Sequence, residues 1–309
     1  MHQRSKYITR GLLLMLPISG LAMIIAAITT ISACTATSVV TESEREDRLM
    51  PEDVSPRFAA GALLYRQNCA ACHGDIGNGN GQGAQTFSIR PRAFRSESFR
   101  FISTTSGGAP SRDDLVRTMK RGISRAEMPG HAQLADAELY TLADYVREIR
   151  RLGMTDQLLT KGTDPQPGDD AYGDDDYGSD EPTMTRKEAA AIAIAKLKAG
   201  PSTEVPARPS DYLSDRDKGR RLYVTNCVIC HGQRGRGDAS VALLDELNRP
   251  IRPRDLTLGR YSGGGTDRDF YWRIRLGLPG TPMPGFSHVS DADVWQLVDY
   301  LRLLAKGRL

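Results

Sequence analysis

Apolar and polar positions along this chain fall into three regimes. From Gly11 to Ile31 the sequence is uncharged and largely apolar, interrupted by Pro17 and Gly20. At about 20 residues such a run is long enough to span a bilayer. Further on, Leu139, Leu142, Ala143 and Val146, and again Val294, Leu297, Val298 and Leu301, recur at helical spacing. Each set follows an aspartate, Asp136 or Asp291, suited to the first turn or cap of a helix. Between them the pattern dissolves. Asp169-Asp170, Asp174-Asp175-Asp176 and Asp180-Glu181 are interleaved with Gly, Pro and Tyr, as in a solvated linker. Thr185 with Glu188 then forms a capping box. It opens an alanine-rich helix predicted from Arg186 to Ala199 and stopped by Gly200-Pro201. Its apolar residues are too continuous for a narrow stripe, so it is expected to pack on a neighbouring domain or a partner. Strand signals are scarce, and the predicted class is all-α.

The two helical sets belong to a longer repeat. Gly61, Leu64 and Tyr65 correspond to Gly219, Leu222 and Tyr223, and Ile89 to Phe94 corresponds to Ile251 to Leu256. Gly122 with Met128-Pro129-Gly130 corresponds to Gly277 with Met283-Pro284-Gly285 at one constant offset, which also carries Leu139 to Val146 onto Val294 to Leu301. A period of this size marks a duplicated domain rather than a solenoid. Five segments follow: residues 1–34, a signal or anchor; 35–55, a flexible linker; 56–157, a first domain; 158–209, an acidic linker with a short helix; and 210–309, a second domain. As a free coil the roughly fifty-residue connection would span about 40 Å.

The chemistry sits in the cysteines. Four of the five lie in Cys69-Ala70-Ala71-Cys72-His73 and Cys227-Val228-Ile229-Cys230-His231. Cys-X-X-Cys-His is the attachment signature of c-type haem. Residues i, i+3 and i+4 share one helical face, so two thiols reach the two vinyl groups of one haem while the histidine reaches its iron. A structural zinc site wants four ligands, and neither half has a second cysteine pair. A thioredoxin-like dithiol would sit in a βαβ pattern, which is absent. The alternating glycines Gly77, Gly79, Gly81 and Gly83 lack the strand-then-helix context of a phosphate cradle. Two haems are therefore expected, with His73 and His231 as proximal ligands, and with a connection of that length the sequence does not force the two haems into contact.

With the Gly/Tyr helix, the CxxCH-Gly, the Pro-Arg segment, the Met-Pro and an aromatic-bearing last helix (Tyr140, Tyr145; Trp295, Tyr300), the chain resembles class I c-type cytochromes duplicated into a dihaem protein. The resemblance places the distal iron ligands at Met128 and Met283, 55 and 52 residues beyond the histidines. Thioether ligation raises the potential relative to a second imidazole. The resemblance also implies that carbonyls at Pro91 and Pro253 accept the proximal histidine N–H, and that Arg92 and Arg254 meet the haem propionates. His131 and His288 are the rival distal ligands. Their offsets from the methionines differ, three residues against five, so they are not cleanly duplicated. Met119 and Met154 are assigned to core filling.

Composition bounds what remains. The 309 residues carry a formal charge of +3, which falls to zero without Arg4, Lys6 and Arg10. No concentrated basic stripe recommends a nucleic-acid partner. These three cations precede the apolar run and Glu42, Glu44, Glu46 and Asp47 follow it, which predicts an export signal and a location outside the cytoplasm. Ile31-Ser32-Ala33-Cys34 resembles a bacterial lipobox, so Cys34 lipidation or an uncleaved helix would hold the protein at a membrane. The expected function is electron transfer between redox proteins, as a stand-alone carrier or as the cytochrome subunit of a respiratory complex, with no catalysis of its own. The alternative is a dihaem peroxidase, which needs an open iron and a distal acid/base group.

Overall fold

A computed structural model of the protein describes residues 55–105, 108–161 and 184–307. The apolar N-terminal run, Cys34 and the acidic tract lie outside the described residues. Among those residues helix is nearly the only regular structure, as its apolar spacing predicted. Helix α1 (Ala59–Asn68) runs directly into the single turn α2 (Ala70–His73), followed after a long loop by α3 (Arg112–Arg121) and then α4 (Asp136–Lys161). The linker helix α5 (Arg186–Lys196) precedes the second set: α6 (Arg216–Asn226), α7 (Val228–His231), α8 (Asp267–Leu276) and α9 (Asp291–Ala305). A two-residue antiparallel pair, β1 (Leu243–Leu244) with β2 (Pro250–Ile251), is an addition particular to the second half.

Local chemistry sets the helix starts. Ser111 accepts from the Asp114 amide and Asp114 returns the bond, a complete capping box. Thr266 and Asp269 repeat it on α8, and Thr185 and Glu188 form the box expected on α5. On α9 the cap is Ser290, and Asp291 occupies the first turn, where a carboxylate favours the helix dipole.

Two cores form, one around Tyr65, Leu139, Leu142 and Ile149, the other around Tyr223, Val294, Leu297 and Leu304. In each, the first and last helices cross at a glycine. A β-carbon on Gly61 would stand 2.7 Å from that of Tyr145, and one on Gly219 would stand 2.8 Å from that of Tyr300. Only hydrogen fits there, which explains why this glycine is repeated. Met119 is buried in the first core.

One expectation is corrected. Helix α5 ends at Lys196, three residues short of Ala199. It packs through the fully buried Ala189 and Ala193. The segment after it is not free: the Thr203 amide donates to the Ser103 carbonyl at 2.5 Å, and Trp272 Nε1 donates to the Thr203 carbonyl at 2.9 Å. The two domains therefore touch. Glu97 of the first, 3% exposed, pairs with Arg249 of the second at 2.8 Å. The Ser98 amide and hydroxyl both donate to Glu246 at 2.6 Å, and the Arg117 guanidinium lies 4.7 Å from the centre of the Trp272 ring. These contacts join segments far apart along the chain, and no local pattern announces them.

Candidate haem sites

Each Cys-X-X-Cys-His is built the same way. The Cys69 amide donates to the Tyr65 carbonyl at 2.8 Å and the His73 amide to the Cys69 carbonyl at 2.9 Å. In the second copy the Cys227 and His231 amides bond to Tyr223 and Cys227 at 2.8 and 2.9 Å. The motif is thus one helical turn in both domains, with cysteines and histidine on one face. Its exit is locked by tyrosine: Tyr65 donates to the Gly74 carbonyl at 2.8 Å, and Tyr223 to the Gly232 carbonyl at 2.7 Å. Both tyrosines are fully buried. The repeat singled out these tyrosines, but their role depends on a bond nine residues along the chain.

Burial, then the neighbouring Cys72, pushes the Cys69 thiol up to about 12, and burial with Cys230 does the same to Cys227, also to about 12. A reactive dithiol needs the opposite shift. All four described cysteines are unpaired.

His73 and His231 are held through Nδ1, which lies 2.9 Å from the Arg92 carbonyl and 3.1 Å from the Arg254 carbonyl. A carbonyl can only accept, so Nδ1 carries the proton and Nε2 is left as a free lone pair. Burial lowers the pKa of both imidazoles below the usual histidine value, which keeps them neutral. The acceptors are not Pro91 and Pro253, as the resemblance implied, but the next residue in each case. The proline carbonyls face the other way, onto the glycine loop: a β-carbon on Gly79 would lie 2.8 Å from the Pro91 oxygen, and one on Gly237 would lie 2.4 Å from the Pro253 oxygen. Successive carbonyls here point to opposite sides, so a shift of one residue changes the partner. The His73 ring also stacks on Phe94, with centroids 4.3 Å apart and planes at 17°.

In the second domain a cavity of about 260 Å³ opens over the motif. Its wall contains Cys227, Cys230, His231, Pro253, Arg254 and Met283, all six residues the sequence nominated there. The rest is largely apolar, including Leu256, Phe270, Ile274, Leu297 and Leu301. The Met283 loop has its twin in the first domain. Gly122 packs against the Met128 carbonyl and the Gly130 amide as Gly277 packs against the Met283 carbonyl and the Gly285 amide, at 2.5 to 2.6 Å from an added β-carbon. His288 is not in the cavity wall: it is exposed, with Nε2 3.3 Å from Asn226 Oδ1. His131 is half-buried, and its amide bonds the Met119 carbonyl at 2.8 Å.

The paired arginines diverge. Arg92 donates to Glu97 at 3.1 Å and to the Ser98 carbonyl at 2.8 Å. Burial and then the nearby Arg100 lower it to about 10. Arg254 lines the cavity and donates to the neutral Ser262 hydroxyl at 2.5 Å.

Over residues 56–146 and 214–301, together more than half its length, the chain matches the family described as cytochrome c oxidase, cbb3-type, subunit III. The chain belongs to this family. It is 25% identical over 280 residues to the cbb3-type cytochrome c oxidase subunit CcoP of Azospirillum brasilense, a match covering 90% of this chain and 70% of that protein. Among solved structures it is similar to a chain of the Kuenenia stuttgartiensis reducing HAO-like protein complex Kustc0457/Kustc0458. The TM-score is 0.62 at 26% identity, covering 82% of this chain and 98% of that one. As a cbb3-type subunit III protein with two matched domains, the chain is an electron-transfer cytochrome with two covalently bound c-type haems.

The second domain's cavity fits such a group on its own terms. Its wall holds four arginines, Arg100, Arg252, Arg254 and Arg273, and no aspartate or glutamate. That imbalance suits the two carboxylates of a haem, and the apolar remainder suits its ring.

Proposed function

We propose that the protein is a membrane-attached relay passing single electrons between redox partners of a respiratory complex, through two six-coordinate haems. Cys69 and Cys72, and Cys227 and Cys230, would attach them. Their thiols would be the attachment points for the two vinyl groups of each haem. His73 and His231 would supply the proximal nitrogens, and Met128 and Met283 the distal sulfurs. When bound, the haem supplies the one-electron iron couple. The protein's own task is to hold ligands still and exclude water, so that little reorganises on electron transfer. The Arg92 and Arg254 carbonyls set the imidazole planes, and the tyrosine bonds to Gly74 and Gly232 keep the attachment turn closed.

The single observation carrying this reading is that Met283 shares one cavity wall with Cys227, Cys230 and His231, while its loop geometry is duplicated at Met128. Location outside the cytoplasm is supported by the charge asymmetry around the apolar N-terminal run. No described helix is long and apolar enough to cross a membrane, so attachment is assigned to the N-terminal run, or to Cys34. The optical spectrum of the oxidised protein tests the ligation. A thioether-to-iron charge-transfer band accounting for two haems is the expected result. Its absence from both sites, or rapid peroxide turnover, would favour the peroxidase and refute the relay.

A further inference from the structure

The second domain's cavity is not built by the second domain alone. Arg100 and Phe101, from the loop preceding α3 in the first domain, are part of its wall. The Phe101 ring lies so close to Gly263 that a β-carbon there would stand 2.4 Å from the ring. This contact fixes the Arg100 backbone against the rim of the cavity.

Arg100 then has a donor with nothing to donate to. Its Nε is buried and has no hydrogen-bond partner. Its nearest carboxylate is Asp245, with Nη2 to Oδ2 at 3.8 Å, beyond hydrogen-bond reach. Asp245 is in any case committed elsewhere: it accepts from the Arg249 side chain at 2.9 Å and from the Leu247 and Arg249 amides at 2.9 and 3.1 Å. A buried Nε donor on a cavity wall free of acidic residues is costly unless an acceptor meets it. The other arginines are placed differently. Arg273 Nε already donates to the Asp269 carbonyl at 3.0 Å, and Arg252 is exposed.

We propose that Arg100 of the first domain binds a propionate of the second domain's haem, so that domain docking completes that cofactor site and sets its potential. The proposal rests on reading the cavity as that haem's pocket. Its chemistry is a charge-assisted guanidinium–carboxylate bond, directed by the planar fork of arginine. A cation bound to a propionate favours the reduced haem, which carries one positive charge fewer, and therefore raises the potential.

The test is spectroelectrochemistry on the full-length dihaem protein, with Met283→His marking which potential belongs to the second haem. Arg100→Gln is expected to lower that potential by about tenfold in the reduction equilibrium, about 59 mV for a one-electron couple. The first haem's potential should stay close to its starting value. Arg100→Lys keeps the charge, so it should largely restore the potential. It should still perturb the propionate bending band in the resonance Raman spectrum, because the fork is lost. Equal shifts at both haems in Arg100→Gln would show a merely structural role and overturn the proposal. So would an unshifted second potential, or a Raman band indifferent to both variants. If Met283→His itself moves neither potential, the pocket reading fails first and the proposal falls with it.

Discussion

At the scale of single residues, the informative contrast is between side chains that the repeat preserves and those it does not. The cysteines and histidine of each motif sit on one turn because the backbone bonds from Cys69 to Tyr65 and from His73 to Cys69 recur at Cys227 and His231. Replacing both Cys227 and Cys230 with alanine should halve the haem that survives acid–acetone extraction, leaving one per chain in a pyridine haemochrome assay. An unchanged ratio would show that attachment lies elsewhere. Arg92 and Arg254 occupy matching positions, yet one pairs with a buried glutamate and the other faces a cavity. Equivalent letters did not guarantee equivalent jobs, because a side chain's partner depends on what the fold brings opposite it.

At the scale of elements, the crossing of first and last helices is the joint that positions each motif. It depends on a missing side chain. In Gly219→Ala the new β-carbon would sit 2.8 Å from both the Gln296 carbonyl and Tyr300 Cβ, so α6 and α9 must move apart. Overpacking of this kind costs about 1–3 kcal/mol, and the loss should appear in a denaturant titration followed by the Soret band. Gly265→Ala is the control: its β-carbon would meet only Tyr261, at 3.8 Å, and the effect should stay within about 0.5 kcal/mol. Comparable stability of the two variants would argue against the crossing as the joint. The element ends were legible where caps were local, as at Thr185 and Glu188. The end of α5 at Lys196 was not, because several helix-competent residues follow it.

At the scale of the whole molecule, the decisive structure is the polar seam between domains, where Glu97 and Asp245 are 3% and 7% exposed. Burial alone would raise the Glu97 carboxyl, but the Arg249 hydrogen bond, the Arg92 charge and the Ala93 amide outweigh it and hold it below its usual value. Asp245 follows the same logic. Burial opposes ionisation, but Arg249 and the two amides bring its pKa from 3.8 down to about 2. A depressed carboxyl stabilises the fold above its unfolded pKa and loses that contribution as pH falls through the folded value. Asp245→Asn should therefore be less stable than the parent near neutrality, with the gap closing between 3.8 and about 2. Denaturant midpoints measured across that range check it, and a gap independent of pH would exclude the ionised carboxylate as its source.

Most of the site was readable from the chain because its chemistry is local. Two thiols and an imidazole on one turn need only helical periodicity. Duplication then singled out Met128 and Met283 as the candidate distal ligands by their shared register. All-helical architecture followed from apolar spacing and local caps for the same reason. What only the tertiary structure decided is everything that joins distant segments. The tyrosine locks reach across to Gly74 and Gly232, and the imidazole acceptors lie 19 and 23 residues beyond their histidines at Arg92 and Arg254. Arg100 lines the other domain's cavity, and the seam joins two domains whose contact the sequence left open. Such contacts are made by surfaces meeting in three dimensions, and no spacing along one chain encodes which surface will be opposite.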